Sequence, residues 1–279
     1  MERYMDTDKM RQFEIYLRDE EKSQATIGKY MHDVNCFAAF IGQTPVCKEN
    51  VLAYKARLGQ TYAVSSANSM LAAMNAYLRF CGWGDMCVKQ FRVQRQVYCA
   101  EEKELTRAEY MRLLATAEKQ QNKRLHLLIQ TICATGIRVS ELQYVTVEAL
   151  RRGEITVDCK GKHRRVFLVS ALRKKLLQYA KEQKIKTGEI FVTKNGKTLS
   201  RCNIWREMKA LCTEARVHPD KVFPHNLRHL FAHTFYSIEK DIAKLADVLG
   251  HANINTTRIY IMTTGAEHRR KLEKMHLII

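Results

Sequence analysis

No stretch of the chain approaches the about 18 consecutive uncharged apolar residues that a membrane-spanning helix needs. The opening MERYMDTDKM lacks the apolar centre of a secretory signal. Nine cysteines occur but no CxxC pair. Without an export signal they read as reduced cytosolic thiols rather than a disulfide frame or a zinc site. Prolines number three, and no internal repeat or low-complexity tract is visible. Acidic side chains are scarce, 29 against 47 Lys and Arg, for a formal charge of +18. The apolar share of 46% is too high and too patterned for disorder to be the main state. The 279 residues suffice for one large core or two ordinary ones.

The charge is uneven. Residues 1–99 hold 13 basic and 10 acidic side chains, whereas residues 100–279 hold 34 and 19, a local excess of +15. A field of that sign attracts polyanions, with nucleic acid ahead of an anionic membrane, although a solvated basic surface has the same composition.

The first hundred residues read as helical. Thr7 or Asp8 suits a helix start, with Met10, Phe13 and Leu17 on one face. Ser23 suits a second, whose stripe Ile27, Tyr30, Val34, Phe37 and Ile41 steps by three and four until Gly42 and Pro45. A third runs near Lys48–Leu58, and a fourth follows Ser65 with Leu71, Met74, Leu78 and Cys81 on one face. Residues 91–104 lie in a basic, aperiodic stretch that reads as a linker. Thr106 and Glu109 then form a capping box that opens a second domain, residues 105–279 after a first of residues 1–90. Its helices fall at about 107–120 and 123–135, with a short one from about 139. The β-rich runs Glu154–Asp158 and Arg165–Val169 flank a polar turn and predict a hairpin, and Glu189–Thr193 predicts a lone strand. The fold class is mainly α: a four-helix N-terminal bundle plus a mainly helical domain with a small antiparallel sheet.

Four segments carry candidate chemistry. In ATGIRVSEL, Gly136 ends a helix and Arg138 stands at the start of the next, where free N–H groups favour an anion. Glu141, three residues on, is within reach of Arg138; the same pattern also describes a capped helix with a surface arginine. The turn from Lys160 to Arg165 presents cations for phosphate contact or proton donation, or only a solvated tip. In PHNLRHLFAH, His225, His229 and His233 share a helix face, but Asn226 stands where the HExxH zinc signature needs its Glu. His225 and Arg228 instead make a donor pair for a phosphate. In LGHANINTTRIY, Gly250 ends a helix, His251 follows, and Tyr260 lies nine residues on, as core ring or as nucleophile.

Taken in order, ATGIRVSEL, KGKHRR, HNLRH and LGHANINTTRIY resemble the catalytic signature of the tyrosine recombinases, the phage integrases and Xer-type recombinases. The resemblance covers nearly the whole chain, with the bundle similar to the family's core-binding domain. It departs in two places. Met262 stands where many relatives have His, and the hairpin reads Cys-Lys-Gly-Lys, so the lysine matched by pattern is Lys160 with Lys162 as runner-up.

The resemblance implies that Tyr260 attacks a scissile phosphate and forms a 3′-phosphotyrosyl link. Arg138 and Arg228 would neutralise the phosphate, His225 would take part in proton transfer from Tyr260, and His251 would donate to the phosphate. Lys160 would protonate the leaving 5′-oxygen, Glu141 would orient Arg138, and Lys162, Arg164 and Arg165 would contact DNA. No metal and no other cofactor is implied. The implied partner is double-stranded DNA with paired half-sites, bound by a homo-tetramer joined through the C-terminal tail. An accessory DNA-bending factor is left open, no membrane is involved, and the location is cytoplasmic, on the nucleoid. Integration and excision of a mobile element is the favoured biology, beside Xer-like dimer resolution or inversion. A type IB topoisomerase and a non-catalytic DNA-binding regulator are the readings outside the recombinases. No arm-binding domain is expected ahead of the bundle.

Overall fold

The structure, a computed structural model, describes residues 2–92, 104–159, 162–261 and 273–274, with Cys159 and Lys162 described by backbone alone. The chain divides into two compact units, Met1–Arg95 and Gln96–Ile279. No helix among the described residues is long and apolar enough to cross a membrane.

The first unit contains α1 (Thr7–Asp19), α2 (Gln24–Ile41), α3 (Lys48–Thr61) and α4 (Val64–Phe80). The cap of α1 is Asp6, one residue ahead of the expected position, because its carboxylate accepts the Asp8 N–H at 2.9 Å. Ser23 caps α2 through the Thr26 N–H, and Gly42 closes that helix. The apolar stripes meet as their spacing requires: Phe13, Val34, Phe37, Leu71, Met74, Tyr77 and Leu78 are fully buried. Phe13 and Tyr77 pack edge to face, with ring centroids 5.3 Å apart. Asn68 and Asn75, two turns apart on α4, hold the departing chain. Asn75 donates to the Val88 carbonyl at 2.8 Å and accepts the Val88 N–H at 3.0 Å. Asn68 pairs with Phe91 in the same way, so the chain as far as Phe91 packs on this bundle.

The second unit opens with the Thr106–Glu109 capping box on α5 (Arg107–Lys119). Next come α6 (Lys123–Thr135), a 3₁₀ turn at Val139–Tyr144 where the sequence suggested an α-helix, and α7 (Val147–Arg152). Strands β1 (Glu154–Cys159) and β2 (Lys162–Phe167) pair antiparallel, with Ile155 opposite Val166 and Val157 opposite Arg164. The second strand thus starts three residues earlier than the composition suggested, and Cys159 faces Lys162.

Beyond the hairpin lie α8 (Ser170–Glu182), α9 (Arg201–Ala210), α10 (Cys212–Ala215), α11 (Pro224–Glu239), α12 (Ile242–Leu249) and α13 (Ile254–Tyr260). The expected strand at Glu189–Thr193 is absent. The segment makes only isolated bridges at Glu189 and Val192. Its neighbours Ile190 and Phe191 are both buried, whereas a strand would turn them to opposite faces. The main core runs from Leu105 to Leu227, and a smaller cluster of Ala232, Leu245, Leu249 and Tyr260 joins α11, α12 and α13.

Candidate active site

Helix α6 ends because Gly136 adopts φ +63°, a left-handed conformation that an L side chain adopts only with strain. A Cβ there would lie 2.5 Å from Phe231 Cδ1 and 3.0 Å from Leu249 Cδ2. Gly136→Ala is expected to cost about 2–4 kcal/mol, from left-handed strain plus overpacking. Urea titration checks this as a lower midpoint at constant slope; an unchanged midpoint would contradict it.

The chain then turns so that Arg138 leads the 3₁₀ turn. Its backbone N–H donates to Glu141 Oε2 and its Nη1 to Glu141 Oε1, both at 2.8 Å. Glu141 is 1% exposed and Arg138 37%, so the carboxylate is buried while the guanidinium keeps an open side. Burial alone would raise the Glu141 pKa. The Arg138 N–H, the Arg164 charge and the Arg138 guanidinium outweigh it and hold the carboxyl below its usual range.

Helix α11 starts at Pro224 and carries His225, Arg228 and His229 over one turn. Arg228 is 1% exposed. It donates to the Gly136 carbonyl, to the Leu249 carbonyl at 2.6 Å and to His251 Nε2 at 3.0 Å, tying together the ends of α6 and α12. Burial, then the Arg138 charge, lowers its pKa to about 10, which leaves it protonated at neutral pH.

Because a guanidinium has no lone pair to offer, His251 Nε2 must be the acceptor of the Arg228 N–H. The ring proton then sits on Nδ1, which lies 2.9 Å from the Oγ1 of buried Thr257. His251 therefore has no proton facing Arg228 in this arrangement. Thr257 and Tyr260 share α13, so one short helix fixes both the His251 tautomer and the tyrosine ring.

Tyr260 is 6% exposed and is surrounded by imidazoles. His229 stacks on it at 4.2 Å and 18°, His225 meets it edge-on at 5.2 Å, and His251 lies at 5.1 Å. The Arg228 guanidinium carbon is 5.9 Å from the ring centre. Sequence reasoning gave His229 no part. Its spacing of four from His225 was the signal available, and it places both rings against one partner.

The hairpin divides its basic residues. Val166 is buried, and two residues before it on the same face Arg164 turns inward, its side chain 12% exposed. It donates to Glu141 Oε2 at 2.5 Å and to the Val248 carbonyl at 2.6 Å. The resemblance gives Arg164 a contact with DNA; in the structure its side chain runs inward, as alternation along the strand requires. Arg165, on the opposite face, is exposed. Lys160 lies outside the described residues, as does the Lys162 side chain. Among the described residues no three His, Cys, Asp or Glu groups are placed to hold a metal ion.

The histidines respond to this basic setting. Burial and then Arg228, Arg138, Arg164 and His225 lower His251 to about 4; burial, His225 and Arg228 lower His229 to about 4. His225 is also lowered, by burial and then by Arg228 and Arg138. Between about pH 4 and 6.5 the unfolded chain binds protons at His229 and His251 that the folded protein does not. The part of the DNA-free protein's stability that depends on these two neutral histidines is thus complete above about pH 6.5 and is lost as pH falls toward 4. His229→Phe keeps the stack and removes one titrating group, so it should flatten the fall by about 1 kcal/mol at pH 5 after allowance for solvent screening. Melting temperatures across pH 4.5–7.5 test this, and an unchanged slope would refute it.

Three guanidiniums (Arg138, Arg164 and Arg228) thus converge around one carboxylate, beside a tyrosine and three neutral imidazoles. The two uncompensated positive charges suit a phosphate.

Comparison with known proteins agrees. A family model described as the phage integrase family matches residues 103–267, more than half of the chain. A tyrosine recombinase XerA of Pyrococcus furiosus is 28% identical over 99% of this chain and 97% of its own length. One from Thermococcus kodakarensis is 33% identical over 96% and 95%. Among solved structures, a lambda integrase dimer bound to a COC′ core site aligns at TM-score 0.75 and 16% identity, over 92% of this chain and 95% of that one. A lambda integrase tetramer bound to a Holliday junction aligns at TM-score 0.70 and 17% identity, over 88% and 77%. Those two share the fold. The family match spans every position from Arg138 to Tyr260, and the Thermococcus relative extends it over nearly the full length: the chain belongs to the phage integrase family of tyrosine recombinases.

Proposed function

We propose that the chain is a site-specific DNA recombinase that cuts and rejoins DNA through a 3′-phosphotyrosyl intermediate, with Tyr260 as nucleophile. The observation that carries this reading is the charge balance around the tyrosine. Arg138, Arg164 and Arg228 against Glu141 leave an excess of two positive charges. A phosphodiester carries one negative charge, and attack by a tyrosine oxygen brings it toward two. The site therefore favours the transition state over the bound ground state.

Tyr260 Oη forms a bond to phosphorus as the bond to O5′ breaks, releasing a 5′-hydroxyl. His225, neutral at pH 7 and edge-on to the ring, takes the tyrosine proton. The hairpin lysine, Lys160 by pattern, gives a proton to O5′. A 5′-hydroxyl from a second strand then attacks, the phosphotyrosyl bond breaks, and Tyr260 recovers its proton. The number of phosphoester bonds is unchanged, so no ATP is needed. Donation by His251 to a phosphate oxygen requires Arg228 to release Nε2 and turn to the phosphate, whose negative charge then favours a proton on the imidazole.

The lysine register has a direct test. Replacing the bridging O5′ by sulfur gives a thiolate that leaves without an acid. Lys160→Ala is expected to slow cleavage of the oxygen substrate by roughly 10²-fold or more and to be restored by sulfur. Lys162→Ala should slow cleavage far less and gain nothing from sulfur. Restoration of Lys162→Ala instead would move the assignment.

Paired half-sites, four protomers on DNA and docking through the tail beyond Tyr260 complete the proposal; residues 262–272 and 275–279 of that tail lie outside the described residues. The favoured role is integration and excision of a mobile element. The near full-length similarity to XerA proteins supports the second reading, Xer-type resolution of chromosome dimers. Mapping covalent adducts on genomic DNA separates them: cleavage flanking the gene supports the element, a single distant chromosomal site supports Xer-type resolution, and no adduct overturns the recombinase reading.

A further inference from the structure

We propose that Arg164 is a positioning residue that sets Arg138 and His251 against the scissile phosphate by bridging Glu141 to the end of α12. This rests on the recombinase reading of the site and assigns Arg164 a part in it other than contact with DNA.

The strand register dictates where Arg164 goes. It pairs with Val157, which is 1% exposed, and shares the inner face with Val166, so its side chain must run beneath the hairpin. There its two terminal nitrogens separate. Nη2 meets Glu141 Oε2, the same oxygen that accepts the Arg138 backbone N–H. Nη1 meets the Val248 carbonyl, three residues before His251. Gly250 leaves room for the stem: it has φ +65°, and a Cβ there would lie 2.5 Å from Arg164 Cδ. One fork thus holds the carboxylate that orients Arg138 and the turn that carries His251.

Electrostatics gives the arrangement a purpose beyond packing. Glu141 is buried and carries one negative charge. With Arg138 as its only cation, the carboxylate would draw the Arg138 guanidinium fully into the pair. Arg164 takes part of that charge, which leaves Arg138 a stronger positive field toward its open side. Stability alone would not select this residue. Arg164 Nε is buried with no hydrogen-bond partner among the described residues, and an apolar side chain of similar volume avoids that desolvation.

The test uses the full chain and a nicked half-site duplex that traps the covalent adduct, with either oxygen or sulfur at the bridging 5′ position. Arg164→Met is expected to form adduct roughly 10–100-fold more slowly at saturating DNA, the range found when an outer partner of a site ligand is lost. Its DNA affinity should fall far less than its rate, and its salt dependence should stay at the wild-type value, because the counterions released on binding are set by direct phosphate contacts. Sulfur should not restore it, because the defect lies in the phosphate contacts and not in the leaving group. Arg164→Lys, which keeps the charge without the fixed fork, should fall between. In a Glu141→Gln background, Arg164→Met should add little, since the two act in series.

Restoration by sulfur would show that Arg164 acts through the hairpin lysine and overturn the proposal. So would a loss confined to DNA affinity with a shallower salt slope, the mark of a phosphate contact. Full additivity with Glu141→Gln would overturn the route through Glu141. If Arg164→Met melts early, Arg164→Lys with a wild-type melting temperature carries the same comparison. Absence of adduct in the wild-type chain refutes the recombinase reading itself, an outcome distinct from any of these.

Discussion

Tyr260→Phe is expected to abolish the covalent protein–DNA adduct, by roughly 10⁴-fold or more, while DNA binding and folding persist. The substitution removes one oxygen and keeps the ring. That ring packs with Ala232, Leu245 and Leu249 and stacks on His229, contacts a phenyl group keeps. Loss of one hydroxyl from a site of this burial shifts stability by about 1 kcal/mol or less. The imidazoles, the arginines and the charge excess remain, so affinity for DNA should hold. Denaturing gels with a nicked half-site measure the adduct, and gel shifts measure binding. An adduct that persists in Tyr260→Phe would remove Tyr260 as nucleophile and the proposed mechanism with it.

Arg228→Met is expected to slow adduct formation by at least about 10³-fold with a much smaller effect on folding. Arg228 faces the tyrosine ring and supplies one of the three guanidinium charges. Its removal leaves the Gly136 and Leu249 carbonyls without their donor. That cost is offset in part because a buried cation no longer has to be desolvated. A spectroscopic mark accompanies the loss. After burial, Arg228 is the largest cause of the lowered His251 pKa, so His251 should titrate at a higher pH in the variant than in the wild type. NMR titration of the DNA-free protein reads this shift. The sulfur-bridged substrate should not restore cleavage, since the missing group acts on the phosphate. Adduct formation within about tenfold of wild type would remove Arg228 from transition-state stabilisation.

Local rules made much of this protein legible from sequence. Ser23, the Thr106–Glu109 box and the glycines at 42, 136 and 250 mark helix ends through chemistry confined to a few residues. The three-and-four spacing of Ile27, Val34, Phe37 and Ile41 marks a buried stripe by local spacing alone. The order and spacing of Arg138, Arg228, His251 and Tyr260 carried the family, because chemistry on a phosphate restricts which residue types serve. Glu141 was legible for the same local reason, being three residues from the guanidinium it holds.

Tertiary structure decided the rest. Composition placed Arg164 on an outward basic turn. Pairing with β1 set the inner face by Val166, and one step of two along the strand turned Arg164 inward. The segment Glu189–Thr193 makes isolated bridges rather than a strand, and buries Ile190 and Phe191 together in the main core. The proton position on His251 depends on Arg228, 23 residues away in sequence, and on Thr257 across the turn. The stack of His229 on Tyr260 exists only because α11 and α13 pack around one small cluster. Sequence determined which groups are available, since caps, stripes and phosphate chemistry act over a few residues. Only the fold decided which of those groups meet, because hydrogen bonds and charges between distant segments depend on register and packing that no local spacing encodes.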